Sequence, residues 1–312
     1  MIHPIPSGTR DVLPDEMREL RAITEAMRAV FERRGYGEVW TPTIEFEDVL
    51  RRGETGVDPA YRVFDDHGHV MALRPDMTVP IARVAATRYA HADPPLRFSY
   101  FAHAYRGVRP HRGQMREFLQ AGIELLGAPA PDGTIEALTV LSEALDAAGL
   151  VGYRIALGSA SLFPALLDTF GVPDDARDPL LRALAARDFV RLASLVDQGG
   201  FHEALVRIPQ LRGGADVLDE VPGGEADGIR AVLAGLDDTV AERVVLDLGL
   251  ARGLGYYTGA VFDVLDPALG APLGGGGRYD DLLSRFGRAM PAVGFAIGVD
   301  RLHLALAGEE EA

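Results

Sequence analysis

Between Tyr105 and Glu124 the chain reads YRGVRPHRGQMREFLQAGIE, and these residue types could hold a small anion or zwitterion. Arg106, Arg109, Arg112 and Arg116 crowd one short loop of a protein that is acidic elsewhere. Guanidiniums this close repel one another unless an anion sits among them, and each offers the paired donors that suit phosphate or carboxylate. A solvated hairpin tip is the competing reading of the loop alone. Just downstream, Gln120, Gly122 and Glu124 alternate along a strand, so one face carries an amide, a gap and a carboxylate. Loop and strand together favour a small-molecule pocket with an anion-binding mouth.

The elements that must position these groups follow from periodicity. Leu96–Ala104 has apolar or aromatic residues at every second position, Glu117–Leu126 can form its partner, and the arginines fall between them. Pro14 opens a helix with Asp15 and Glu16 in its first turn, Leu20, Ile23, Met27, Val30 and Phe31 on its apolar face, and Gly35 as its stop. Glu38–Glu45 reads as a short strand interrupted by Pro42, 53–59 as a loop, and Val63–Leu73 as a hairpin turning at Asp66–Gly68. LRPDMT then leads into a helix to about His91. A further helix, capped by Asp132 or Thr134, ends at Gly149, before a strand at Tyr153–Leu157.

From about 161 to 240 the composition shifts to Ala, Leu, Asp and Arg broken by prolines, which reads as a small helical insertion within a single domain spanning 1–312. Strands return at Val244–Leu248 and Tyr256–Leu265; the run at Leu273–Leu283 opens a helix; Pro291–Gly298 is a last strand before a helix from Val299. The pattern is α+β, a mostly antiparallel sheet with helices packed on it.

Composition bounds the function. A net charge of −15 opposes wrapping of nucleic acid, though not a local basic cleft for one anion. Without cysteine there are no disulfides and no thiolate metal sites, and the eight histidines lack zinc-helix spacing, so no metal is expected. No apolar run reaches membrane-spanning length and the first residues lack a signal-peptide core, so a cytoplasmic protein is expected.

Other motifs admit plain readings. Gly274–Gly277 lacks the lysine of a P-loop and the spacing of a dinucleotide fingerprint, so a turn is favoured, with Arg278 and Tyr279 aiming a cation and a phenol at one place. Asp76 and Thr78 could be a helix cap and no more. ARGLGYYTG, at 251–259, places Arg252 and the Tyr256–Tyr257 pair between two strands. Asp300 and Arg301 read as an exposed helix pair.

The order of these motifs is more specific than any one of them. GTRDVLP, RPDMT, the arginine hairpin with REFLQAGIE, ARGLGYYTG, GGGGRYDDL and GFAIGVDRL succeed one another in an order that resembles the core of class II histidyl-tRNA synthetases over nearly the whole chain. The departures matter. Val108 stands where the synthetase pattern has a glutamate of the adenylate site, and valine can neither accept a hydrogen bond nor carry charge. Gln114 replaces an arginine, Gly255 an aspartate and Asp76 a glutamate, and no anticodon-binding domain is expected. The RPDMT form resembles the synthetase-derived regulatory subunits of ATP phosphoribosyltransferase.

That resemblance implies a site for histidine. Asp76, Thr78 and Gln120 would face its α-amino group, Glu124, Tyr257 and Tyr279 its imidazole with Tyr256 alongside, and Arg106 and Arg252 its carboxylate. Arg116 and Arg301 would remain from a nucleotide site. It also implies no catalytic residue, no cofactor and a role in the first step of histidine biosynthesis. There the chain would activate a short-form catalytic subunit within a hetero-octamer, as a dimer of itself, and mediate allosteric inhibition by L-histidine without binding tRNA. A truncated histidyl-tRNA synthetase core that still forms histidyl-adenylate is the alternative, and a free-standing histidine sensor a third.

Overall fold

The computed structural model describes residues 5–53, 61–107, 115–250 and 255–310. Helix α1 (Pro14–Arg33) begins at a proline whose fixed φ suits a first turn, and it buries Leu20, Ile23, Met27, Val30 and Phe31, the expected face. Gly35, at φ +82°, reverses the chain into β1 (Gly37–Glu38). The strand expected over 38–45 is in fact two: β1 and β2 (Ile44–Phe46) lie in different sheets, with Pro42 in the crossing between them. A short helix, α2 (Glu47–Arg51), follows β2, and 54–60, which takes in all but the first residue of the expected loop, lies outside the described residues. Strands β3 (Arg62–Phe64) and β4 (Val70–Leu73) form the expected hairpin, and β2 joins them in a small sheet of order β2-β4-β3.

Helix α3 (Thr78–Thr87) stops short of the expected His91. The hairpin of β5 (Leu96–Tyr105) and β6 (Glu117–Leu126) has the expected bounds to within a residue; most of its basic loop, 108–114, with Arg109 and Arg112, lies outside the described residues. Helix α4 (Asp132–Ala147) starts without a side-chain cap, because its N-cap position is Pro131, and Thr134 is buried instead of capping. Strand β7 (Arg154–Ser159) precedes helices α5 (Leu162–Thr169), α6 (Asp174–Ala185), α7 (Phe189–Gly199) and α8 (Ala204–Arg207). Strand β8 (Arg212–Gly213) and helices α9 (Asp227–Gly235) and α10 (Asp238–Ala241) complete the 162–241 region. Its buried residues, such as Leu166, Leu192, Leu205 and Ile229, share one apolar core with α1 and α4.

Strands β9 (Val244–Asp247), β10 (Ala260–Leu265), β11 (Gly274–Arg278) and β12 (Ala292–Gly298) complete the main sheet, and α11 (Val299–Glu310) follows. The order is β1-β5-β6-β12-β11-β10-β7-β9-β8, antiparallel except for β1 with β5 and β7 with β9. Two expectations fail here. The residues Tyr256–Thr258 precede β10 instead of belonging to it, and the glycine run is a central strand, not a turn opening a helix. Glycine is needed there because β11 is crossed closely by its surroundings. A Cβ at Gly276 would meet Phe262 Cζ at 2.8 Å, and one at Gly277 would meet the Tyr257 ring at 2.8 Å.

The pleat sorts the sheet into two faces. Ile123, Leu125, Val293, Phe295 and Ile297 point to α1 and α4 in the main core. Gln120, Gly122 and Glu124 point the other way, toward α3 and a second cluster holding Met77, Ile81, Tyr100, Tyr256 and Tyr279. On that second face, register places Gly294 beside Glu124 and Gly277, and Ala296 beside Gly122 and Gly275. At Gly122, Gly294, Ala296, Gly275 and Gly277 the three adjacent strands thus present almost no side-chain volume, which makes a floor between Gln120 and Glu124 and their neighbours. Among the described residues no helix is long and apolar enough to cross a membrane.

Candidate functional site

Above that floor sits Glu124, 1% exposed. Thr78 Oγ1 donates to its Oε1 at 2.8 Å, and the Tyr279 phenol donates to its Oε2. There is room for the carboxylate because the neighbouring strand has no side chain: a Cβ at Gly294 would fall on Glu124 Oε2, 2.5 Å from Ile123 O. Burial pushes the Glu124 carboxyl up to about 8, the Tyr279 and Thr78 hydrogen bonds oppose this, and the like charge of Asp76 adds to it. Among the described residues, no cation is among the groups acting on it. Asp76 is also buried; its Oδ1 accepts the Val79 N–H at 3.3 Å, so it does serve the start of α3 while facing the site. Burial raises its pKa too, against the opposing charge of Arg106.

Three phenols close the cradle. Tyr256 lies 4.8 Å from Tyr257 and 5.6 Å from Tyr279, ring centre to ring centre. Burial, then Tyr257, Asp76 and Glu124, hold the Tyr256 hydroxyl well above the ordinary phenol range, and burial with Glu124 does the same for Tyr279, so both remain neutral donors. Gln120 is buried with its Oε1 unpartnered among the described residues. An orphaned buried carbonyl on the same strand face as Glu124 is costly unless a ligand brings N–H groups to it.

At the mouth, Arg106 donates Nε to Pro75 O at 3.1 Å and lies 5.2 Å over the Phe118 ring. Arg116 joins it through the backbone, its O accepting the Arg106 N–H at 2.9 Å, and keeps a buried Nε without a partner among the described residues. Arg301 donates Nη1 to Pro272 O at 2.5 Å, and its guanidinium is pushed below its ordinary value by desolvation and then by the like charge of Arg106. Cations that repel across a mouth favour an anion between them. No group of three or more His, Cys, Asp or Glu side chains suited to a metal occurs among the described residues.

The structure therefore brings together Asp76, Thr78, Arg106, Gln120, Glu124, Tyr256, Tyr257 and Tyr279, with Arg116 and Arg301 at the rim. Arg252 lies outside the described residues. Two readings are corrected. Arg278 does not aim at the same place as Tyr279; successive strand residues face opposite sides, and its Nε meets Asp280 at 2.9 Å and its Nη2 Ala128 O at 3.1 Å. Asp300 and Arg301 do not pair with each other either: Arg301 is exposed, whereas part-buried Asp300 accepts from Arg10 at 2.5 Å and from the Leu119 N–H at 3.0 Å, tying α11 to the lead-in and to β6.

Sequence reasoning passed over Tyr100, whose hydroxyl sits above Gly122, 2.6 Å from where a Cβ would be, and is held neutral by burial and by Glu124. It also passed over Arg74, whose buried guanidinium donates to Thr41 O at 2.6 Å and His103 O at 2.9 Å and fixes the loop carrying Asp76. Tyr100 was signalled by the period-two pattern of β5. Arg74 had no sequence signal beyond its place in RPDMT.

The mostly antiparallel sheet flanked by helices is the fold of the class II aminoacyl-tRNA synthetases, and the histidyl-tRNA synthetase family model matches residues 8–302. The chain is 40% identical to an ATP phosphoribosyltransferase regulatory subunit of Desulforamulus reducens, over 96% of this chain and 78% of that one. A solved structure from Bacillus halodurans, described as an ATP phosphoribosyltransferase regulatory subunit/histidyl-tRNA synthetase, superposes with a TM-score of 0.90 at 30% identity, covering 98% of this chain and 84% of that one. A histidine–tRNA ligase of Methanocaldococcus jannaschii is 35% identical over 95% of this chain and 74% of its own length. The chain belongs to the family of ATP phosphoribosyltransferase regulatory subunits, a branch built on the histidyl-tRNA synthetase fold.

Proposed function

We propose that the chain is a non-catalytic regulatory subunit that activates a short-form catalytic ATP phosphoribosyltransferase and senses L-histidine for feedback inhibition of histidine biosynthesis. The observation that carries this reading is the Glu124 cradle: two buried acids and, among the described residues, an amide oxygen without a partner and no cation acting on Glu124. Histidine brings an ammonium for Asp76 and Gln120, ring N–H groups for Glu124 and the phenols, and a carboxylate for the arginine mouth. Val108, in place of the adenylate-site glutamate, supports loss of the activation chemistry. Histidine then acts by linkage: it prefers one state of the assembly, and a coupling of about 1–3 kcal/mol would give roughly 5–150-fold control.

Co-expression with a short-form catalytic subunit tests the reading. The two chains are expected to co-purify, with activity appearing only in the complex and falling as histidine is added. A catalytic subunit indifferent to this chain would contradict it. The second reading, a synthetase core, is favoured by Arg301 and Arg106 lying close enough for their like charges to interact. Histidine-dependent ATP–pyrophosphate exchange at a synthetase-like rate would select it.

A dimer within a hetero-octamer is the assembly this reading expects, and the cytoplasm is its expected place. Support for self-association lies in the small sheet. Ile44 and Phe46 share its outer face and are about half exposed, and Trp40, just before β2, is 92% exposed. Phe46→Asp is expected to convert a dimer to a monomer by light scattering without changing the far-ultraviolet spectrum. A wild-type monomer would remove self-association from the account.

A further inference from the structure

We propose that Arg278 and Asp280, on either side of Tyr279, form a clasp that positions the Tyr279 hydroxyl over Glu124 and so sets the affinity of the site. The inference rests on the histidine reading for its ligand but not for its geometry. Arg278 is 4% exposed and points to the face of the sheet opposite the cradle. It joins three segments: Nε donates to Asp280 Oδ2, Nη2 donates to Ala128 O beyond the end of β6, and Gly259 of the tyrosine turn lies against its aliphatic stem, 3.3 Å from Cδ to a would-be Cβ.

Asp280 extends the clasp. Its Oδ1 accepts the Ala292 N–H at 3.1 Å at the start of β12, and its own N–H donates to Thr258 Oγ1 at 2.9 Å. Thr258 in turn donates its N–H to Arg278 O at 2.8 Å, and Tyr279 donates its N–H to Ala292 O at 2.8 Å. Every residue adjoining Tyr279, and the turn directly after Tyr256 and Tyr257, is thereby bonded into one ring. Arg278 also keeps a buried Nη1 with no partner among the described residues, a costly state that an apolar side chain of the same length would avoid. A guanidinium there makes sense if its fork fixes direction, because a bidentate group restricts orientation where packing alone does not.

Asp280→Asn leaves an acceptor for Ala292 and turns the other atom into a donor facing the Arg278 Nε–H, which opens the clasp without removing volume. Arg278→Lys removes the fork and keeps the charge. Each is measured in the wild-type and the Tyr279→Phe background, by calorimetric titration of L-histidine and by the ¹³C NMR titration of the Glu124 carboxyl, assigned with Glu124→Gln. Both single variants are expected to weaken histidine about tenfold and to move the Glu124 titration upward. In the Tyr279→Phe background both effects should shrink below about twofold, because the hydroxyl they aim is gone. Additive losses, or none, overturn the proposal.

If wild-type protein fails to bind histidine while the NMR titrations still couple to Tyr279, the histidine reading falls and the clasp stands. If either variant does not fold, Thr258→Val replaces it, and failure of all three to fold overturns the positioning role.

Discussion

Glu124→Gln will flatten the pH dependence of stability and abolish tight histidine binding. In the folded chain the carboxyl titrates near 8, against about 4.5 for an ordinary glutamate, so between those values the native state holds a proton that the unfolded chain has released. Stability contributed by the protonated, buried group is fully present below about pH 4.5 and is lost as pH rises through about 8. The loss is about 5 kcal/mol in all, about 4 of it between pH 5 and pH 9, because each tenfold change in proton affinity is worth about 1.4 kcal/mol. Urea unfolding of wild type and Glu124→Gln at pH 5 and pH 9 isolates it, because other groups cancel in the difference. The wild type should lose the smaller amount relative to the variant across the interval, and saturating histidine should shrink the loss by supplying N–H donors to the ionised carboxylate. Parallel curves would mean that Glu124 is ionised from the outset and solvated. Removing a charged partner should also cost about 1.5–3 kcal/mol of histidine affinity, roughly 10–150-fold, and weaken feedback inhibition while leaving assembly with the catalytic subunit intact.

Gly294→Ala is expected to be nearly as severe from a single methyl group. The Cβ falls on the Glu124 carboxylate and 2.5 Å from the backbone oxygen of Ile123, and backbone in a central strand cannot retreat. Overpacking of this kind costs about 1–3 kcal/mol, and here part of it is released by expelling Glu124 from its bonds with Thr78 and Tyr279. The variant should therefore lose histidine binding out of proportion to its loss of stability. Gly228→Ala is the control: it sits in α9 with nothing within 4 Å of the new methyl, so stability should hold or rise by a few tenths of a kcal/mol. If Gly294→Ala binds histidine normally, Glu124 is not the anchor.

Much of this arrangement was legible in the sequence where side chains repeat. The faces of α1 and β6 follow from spacing, so Gln120, Gly122 and Glu124 could be placed on one side before any coordinates. The tetraglycine was misread because a strand without side chains has no period; its need for glycine comes from Phe262, Tyr257 and the β12 backbone, which are remote in sequence. Once Gly274–Arg278 is known to be a strand, the opposite directions of Arg278 and Tyr279 follow from the pleat. The role of Asp300 was hidden for a different reason: its partner Arg10 is 290 residues away. The split between β1 and β2 was hidden because one proline-marked run serves two sheets.

The central claim is that an inherited amino-acid cradle still holds histidine, and calorimetric titration of L-histidine into the purified chain at pH 7 tests it most directly. A saturable site, one per chain, that Glu124→Gln weakens at least tenfold is the predicted result. No binding at millimolar histidine, or equal binding by the variant, would contradict it.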